Sequence, residues 1–346
     1  MKKIKVSIVG GSGYTGVELL RILVNHPNIT FDQITSRTEH GINVEDHYPF
    51  FRGKLKHKFI DPEKADFTKS DLVFFATPNG IAMQHVDFLL AKKIKIIDLA
   101  ADFRIKDIAL WEKWYDMKHS APQVLTQAVY GLTELNQSNI KDAFLVANPG
   151  CYPTACQLAL YPLLKNDLII ENDIIIDAKS GISGAGKRND PSLLMSESSE
   201  NFKAYAISGH RHEPEIISNL MELTGKLNIN VTFVPHLVPM VRGIFVSVYT
   251  KLKKEISEQD IANVFEQQFK DSIFVDFMGP LKMPETKTVR GSNYCRISFV
   301  KKENRLIIFS IIDNLVKGAA GQAIQNMNLM FNLPENIGLE HSPIYP

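Results

Sequence analysis

Residues 4–24 read IKVSIVGGSGYTGVELLRILV. Residues 4–9 form a short apolar run, residues 10–16 a glycine turn, and residues 17–24 place their apolar side chains at helical spacing. Strand, glycines and helix in that order open a βαβ unit. The turn contains Gly11-x-Gly13-x-x-Gly16, standing where the dinucleotide fingerprint requires a strand before it and a helix after it. Such glycines let the backbone approach a pyrophosphate, and the helix N-terminus offers it N–H donors and partial positive charge. Ser12, Tyr14 and Thr15 fill the turn and are expected beside the same cofactor. The competing reading is a tight strand-to-helix turn that binds nothing.

Outward from this stretch, further strands are expected at residues 31–36, 72–76, 95–99 and 143–147, with helical or irregular segments between them. This half reads as α/β, a Rossmann-type doubly wound parallel sheet. Beyond residue 151 the strands lengthen, to 173–180, 231–236, 243–249, 294–300 and 305–313, and alternation in RISFV suggests antiparallel pairing. Helices at 213–227 and 257–270 would cover that sheet, making an α+β domain, and a last helix near 317–331 would return to the first domain. The expected domains are 1–148 completed by 317–346 for the dinucleotide, and 149–316 for catalysis and oligomer contacts.

Composition narrows the partners. With 39 Lys plus Arg against 38 Asp plus Glu, the 346-residue chain has net charge +1 and no basic field for nucleic acid or anionic membrane. Apolar runs are strand-length, far short of the roughly 18–20 residues of a membrane span. The N-terminus MKKIKVSIVGGSG has no signal-type apolar h-region before its glycines, so no secretory signal is expected, and the chain is placed in the cytoplasm. Three cysteines, Cys151, Cys156 and Cys295, do not suggest a disulfide framework.

The second strand ends in ITSRT, residues 34–38, without a carboxylate at its tip for a ribose diol. Ser36 and Arg37 offer a hydroxyl and a guanidinium instead, suited to a 2′-phosphate, which points to NADP over NAD. Thr77 and Pro78, in the ATPNG turn after the third strand, are expected on the same cofactor edge.

Residues 146–155 read VANPGCYPTA. Cys151 stands between a Pro-Gly turn and a helix start, at the carboxyl end of the last parallel strand, where open α/β sheets bind ligands. Pro153 is expected as the first helical residue. A helix N-terminus favours the thiolate, so Cys151 is the candidate nucleophile; a space-filling thiol is the alternative. Cys156 and Cys295 read as packing. The segment 208–215, SGHRHEPE, concentrates histidine. His210 and His212 would point the same way in an extended segment, and either could serve Cys151 as general acid/base. Without a third ligand they do not read as a metal site. KSGISGAGKR, residues 179–188, runs from a strand into a glycine loop whose amides could form an anion nest. Arg242 of PMVRG is a candidate carboxylate or phosphate clamp.

Together, GGSGYTG, NPGCYPTA, SGISGAGK, GHRHEPEI, VPMVRGI and DNLVKGAAGQAIQN resemble the N-acetyl-gamma-glutamyl-phosphate reductases of arginine biosynthesis, in blocks running from Gly10 to Asn326. The resemblance implies NADPH-dependent reduction of an acyl phosphate to a semialdehyde, with Cys151 as nucleophile and His210 and His212 beside it. It also implies that Ser180, Gly181, Gly184 and Asn314 contact the cofactor, that Asn148 and Arg242 contact the substrate, and that the chain is a homodimer or homotetramer. Lysine-pathway acyl-phosphate reductases are similar and differ by one methylene in the substrate, a difference worth only about 1–3 kcal/mol. A catalytically silent NADP-binding sensor would keep the glycine turn and have no need of Cys151 with both histidines.

Overall fold

The computed structural model describes residues 3–345, so residues 1, 2 and 346, at the ends of the expected domain ranges, lie outside the described residues. The chain forms two compact units. One runs through Pro149 and takes back Ala319–Glu340; the other comprises Gly150–Gly318 and the residues from His341 on.

The first unit runs β1 (Ile4–Val9), α1 (Tyr14–Leu23), β2 (Ile29–Thr35), α2 (Val44–His47), β3 (Phe59–Ile60), β4 (Leu72–Phe75), α3 (Ala82–Ala91), β5 (Lys95–Asp98), α4 (Ile108–Tyr115), β6 (Val129–Tyr130), α5 (Thr133–Asp142) and β7 (Leu145–Ala147). Its seven strands pair in parallel in the order β3-β2-β1-β4-β5-β7-β6. Every residue of β4 and β7 is buried, as a parallel sheet covered on both faces demands. The order reverses at β1, so the turn after β1 opens at the switch point where such sheets bind ligands. Two-residue β3 and β6 carry too little pattern to be read from sequence.

The second unit runs α6 (Cys151–Lys165), β8 (Ile174–Gly181), α7 (Met195–Ser198), β9 (Lys203–Ala204), α8 (His212–Thr224), β10 (Val231–Val238), β11 (Ile244–Lys251), α9 (Glu258–Phe269), β12 (Val275–Pro280), β13 (Cys295–Lys302) and β14 (Arg305–Ile312). The strand order is β12-β13-β14-β11-β8-β10-β9. The sheet is mixed: β8 runs parallel to β10 and β12 to β13, while β11, β13 and β14 pair antiparallel as expected. The β8/β10 pair is parallel because α8 lies between the two strands in the chain and returns it to the same end. On β8, Ile174, Ile176, Ala178 and Ser180 are buried while Ile175 is exposed, so one face of the strand supplies the core. Helix α6, with twelve of its fifteen residues buried, packs beside α8 and over β11 and β14.

A π-helical turn at Val316–Ala320 leads into α10 (Gly321–Met330), where the chain rejoins the first unit. Every residue of α10 is buried, including Gln322, Gln325, Asn326 and Asn328. Buried amides need partners, and Asn326 Nδ2 donates to the Gly131 carbonyl at 2.9 Å and to Asn148 Oδ1 at 3.1 Å. The polar residues of the DNLVKGAAGQAIQN block are thus largely structural ties. Among the described residues no helix is long and apolar enough to cross a membrane.

Candidate active site and dinucleotide turn

In the first unit, three of the four glycines in the turn after β1 and the first turn of α1 are required by packing. Gly10 holds φ at +88°, and a Cβ there would strike the Ala76 carbonyl. A Cβ at Gly11 would stand 2.5 Å from Ile34 Cγ2, and one at Gly16 would strike the Gly10 oxygen. Gly13 is different: the nearest atom to its Cβ would be the Gly10 oxygen at 3.8 Å. Open space at the middle glycine is what close approach of a pyrophosphate needs. Gly13 also caps α1 without a side-chain hydrogen bond, so Tyr14, Thr15 and Gly16 open a helix end suited to an anion.

The tip of β2 closes over this turn. Ser36 is buried, with its Oγ 2.7 Å from Ser12 Oγ and accepting the Glu39 amide at 3.1 Å. The Tyr48 hydroxyl donates to the Ser12 carbonyl at 2.8 Å, pinning the turn from a third side. Glu39, the first carboxylate beyond β2, pairs with His47 at 3.4 Å, while Arg37 is exposed. Thr77 Cγ2 lies 3.4 Å from where a Gly10 Cβ would stand, so the Thr77-Pro78 turn borders the glycine turn.

In the second unit, α6 begins at Cys151 itself. Gly150 is its N-cap, with φ −67° and ψ 158°, so Pro153 is the third helical residue and not the first. The shift costs nothing, because the first N–H groups of a helix have no partner within it. The Gly150 N–H is held by Glu215 Oε1 at 2.8 Å. Cys156 and Cys295 are both fully buried; burial pushes the Cys156 thiol well up, and Cys295 Sγ lies 3.4 Å from Ser310 Oγ.

The histidine segment is not extended. His212 opens α8 and His210 lies in the turn ahead of it, yet their rings meet at 4.9 Å. Each ring is also edge-on to Tyr152, at 5.8 Å, and Tyr152 follows Cys151 directly. Both histidines therefore gather beside the start of α6, through the turn and helix geometry in place of strand alternation.

Hydrogen bonding separates the two. His210 Nδ1 accepts the His212 amide at 3.1 Å, and its Nε2 lies 3.4 Å from Tyr205 Oη. The Tyr205 hydroxyl donates to Tyr152 Oη at 3.5 Å, and Tyr152 donates to the His236 carbonyl at 3.2 Å. With the Tyr205 proton directed at Tyr152, His210 Nε2 must be the donor in its own pair. His210 is then neutral, protonated on Nε2 only, and Nδ1 faces an N–H. Burial first, and the neighbouring Arg211 second, pull its pKa down to about 4. Burial likewise raises Tyr152, and raises Tyr205 to about 12, so both phenols stay protonated.

Comparison with known proteins shows the family. Residues 5–143 match the semialdehyde dehydrogenase NAD binding domain and residues 151–314 the semialdehyde dehydrogenase dimerisation domain. The N-acetyl-gamma-glutamyl-phosphate reductase of Nitrosomonas eutropha is 53% identical over 345 residues, covering 99% of this chain and 100% of the relative. That of Nitrosospira multiformis is 52% identical over the same span. The chain belongs to the N-acetyl-gamma-glutamyl-phosphate reductase family. Its first unit therefore takes a nicotinamide dinucleotide. Aspartate semialdehyde dehydrogenase II from Vibrio cholerae shares the fold, with a TM-score of 0.74 at 16% identity, covering 96% of this chain and 99% of that one.

Not every residue expected at the reductase site presents a side chain to a ligand. Asn148 is fully buried; its Oδ1 accepts from Asn326, and its Nδ2 donates to the Ala319 carbonyl at 3.2 Å. Asn314 accepts the Gly243 amide at 2.8 Å and donates to Ser183 Oγ at 2.9 Å. Both amides act as ties, because in a buried setting their hydrogen-bonding groups are used locally. In the loop after β8, four amides already have partners. The amides of Gly181, Ile182, Ser183 and Gly186 donate to the carbonyls of Gly243, Met240, Val241 and Ser183. Ser180 Oγ donates to the Gly181 carbonyl, a Cβ on Gly184 would stand 2.6 Å from Ser180 Oγ, and one on Gly181 2.7 Å from the Val241 carbonyl. Arg242 lies 3.7 Å from the buried carboxylate of Asp313. Sequence reasoning missed Tyr152, Tyr205 and Glu215 as parts of the site; the first and last stand inside blocks already singled out, but nothing in their spacing marks their partners.

Proposed function

We propose that this protein reduces N-acetyl-L-glutamyl 5-phosphate to N-acetyl-L-glutamate 5-semialdehyde with NADPH, releasing phosphate. The observation that carries the reading is Cys151 at the head of α6 with both imidazoles packed on the adjoining Tyr152, in a chain whose full-length relatives bear that reductase's name. The Cys151 thiolate attacks the acyl-phosphate carbon, the carbon–oxygen bond to phosphate breaks, and a thioester remains on the sulfur. A dihydronicotinamide, when bound, would supply the hydride that takes the thioester to a thiohemiacetal. Collapse of the thiohemiacetal releases the aldehyde and returns the thiolate. His212 is assigned the proton transfers, because both ring nitrogens of His210 are engaged and its pKa, at about 4, is far from neutral. His210, Tyr205 and Tyr152 then form an orienting chain. Amides at the start of α6 are the proposed donors to the oxyanion, since the Gly150 N–H is held by Glu215 and the amides of Gly181, Ile182, Ser183 and Gly186 are engaged elsewhere.

Gly11, Ser12, Gly13, Tyr14, Thr15 and Gly16, with Thr77 and Pro78, are the proposed dinucleotide contacts in the first unit, where open space at Gly13 suits a pyrophosphate. NADP is preferred because Ser36 and Arg37 stand at the tip of β2 while Glu39 turns to His47. Arg242 is the proposed clamp for a substrate carboxylate or phosphate. A homodimer or homotetramer built on the second unit fits its match to a dimerisation domain.

The test is the reverse reaction: NADP⁺ reduction driven by N-acetylglutamate semialdehyde, with and without phosphate, compared with the semialdehyde one methylene longer. The reading requires phosphate dependence, preference for the shorter substrate, and loss of turnover in Cys151→Ser with NADP⁺ binding retained. Turnover without phosphate, or a serine variant near normal, would overturn it.

A further inference from the structure

Val316–Ala320, inside the DNLVKGAAGQAIQN block, is a π-helical turn, a rare geometry that recurs at functional sites. At its centre the Gly318 N–H donates to the Asp313 carbonyl, five residues back, at 2.9 Å. The fully buried Asp313 carboxylate fastens the turn. Its Oδ1 accepts the amides of Leu315 and Val316 at 2.8 and 3.1 Å, and its Oδ2 accepts that of Gly291 at 2.7 Å. Gly318 keeps φ out of the left-handed region, so its backbone does not call for glycine. The constraint is space: a Cβ on Gly318 would stand 2.7 Å from Cys151 Cβ, 3.1 Å from Cys151 Cα and 3.2 Å from Ile312 Cδ1. Carbon atoms in ordinary contact sit about 3.5–4.0 Å apart, so Cys151 lies flush against the turn with no room for a methyl group between them. Cys151 is partly exposed, so the turn closes one side of the residue and leaves another open. Neither wall yields readily, because Asp313 holds the turn and α6 is buried along twelve of its fifteen residues.

We propose that Gly318 is the positioning residue that seats Cys151, the bare backbone of the π-turn fixing where the thiolate stands relative to bound substrate. The proposal rests on Cys151 as nucleophile. A methyl group on residue 318 pushes Cys151 away by about 1 Å if ordinary contact is to be restored. The clash falls on Cα and Cβ, so a new rotamer about the bond between them does not relieve it. A misplacement of about 1 Å can cost about 100-fold in rate.

The experiment compares Gly318→Ala with wild type in kcat, KM for the acyl phosphate, NADPH affinity, melting temperature and the rate of Cys151 alkylation by iodoacetamide, a reagent from which the fully buried Cys156 and Cys295 are shielded. The value of kcat should fall on the order of 100-fold, with KM and NADPH affinity changed less than about threefold. Alkylation should also stay within about threefold, since a freely diffusing reagent needs the thiolate but not its alignment with bound substrate. Pairing Gly318→Ala with Ile312→Val removes the Ile312 Cδ1 contact and leaves the one with Cys151. The pair should regain part of the melting temperature and none of the kcat, and it takes over the same measurements should the single variant fail to fold. Turnover within about threefold of wild type per folded molecule would sink the proposal. So would a kcat that recovers with the melting temperature in the pair, which would make the defect one of general packing. Alkylation falling in step with kcat would assign the loss to thiol ionisation and overturn the seating. Cys151→Ser, measured alongside, separates the readings: its retained turnover would defeat the thioester mechanism, whereas an inactive serine variant beside a fully active Gly318→Ala defeats the seating alone.

Discussion

His210→Asn is the perturbation that most directly tests the hydrogen-bond chain behind the assignment of His212. In the folded protein His210 titrates near 4, against 6.5 for an unperturbed imidazole, with burial as the main cause and Arg211 the lesser one. As pH falls below 6.5 the unfolded chain takes up a proton that the folded protein refuses, until about pH 4. Stability from this residue is therefore complete above 6.5 and is lost as pH falls from 6.5 toward 4. Linkage over a shift of this size gives a loss of about 2 kcal/mol between about pH 7.5 and about pH 5. Asparagine cannot titrate, so the variant lacks this component, while all other groups cancel in the difference. Unfolding free energies from urea titrations at the two pH values, for both proteins, give the quantity directly, provided the m-values agree. Wild type should lose about 2 kcal/mol more than the variant on acidification. Parallel pH dependences, or an NMR titration of His210 with its midpoint above about 6, would refute the neutral, doubly engaged imidazole. His210 would then compete with His212 for the proton.

Other outcomes follow from the same geometry. His212→Asn should lower kcat by about 100- to 10,000-fold and flatten one limb of the pH–rate profile, whereas His210→Asn should act chiefly on KM and leave that limb in place. Arg37→Ala should weaken NADPH by about 1–3 kcal/mol and leave NADH nearly unchanged; equal losses for both cofactors in a titration calorimeter would detach Arg37 from the 2′-phosphate. Gly13→Ala should fold with a near-normal melting temperature and bind dinucleotide poorly, because its Cβ occupies ligand space, while Gly16→Ala should lose stability because its Cβ meets the Gly10 carbonyl. Circular dichroism and dinucleotide titration on the two variants check both halves.

Local pattern was enough for the first unit's main strands, for the glycine turn and for Cys151 at a helix start, because each is written in neighbouring residues. An apolar run such as LVFF, a glycine spaced for a turn and a Pro-Gly before a helix are all statements about adjacent φ and ψ. The six blocks, read in order, also carried the family, since they span the chain from Gly10 to Asn326. Where the sequence misled, the deciding partner was remote. The Gly150 N–H at the head of α6 meets Glu215, 65 residues away, and the tie between Asn148 and Asn326 spans 178 residues. In the glycine loop after β8, the carbonyls of Met240, Val241 and Gly243 take three of the amides that the sequence leaves open. A sequence can show that a donor or acceptor exists. Only the tertiary structure says whether burial has already matched it, and at His210 both ring nitrogens face partners that no local pattern announces.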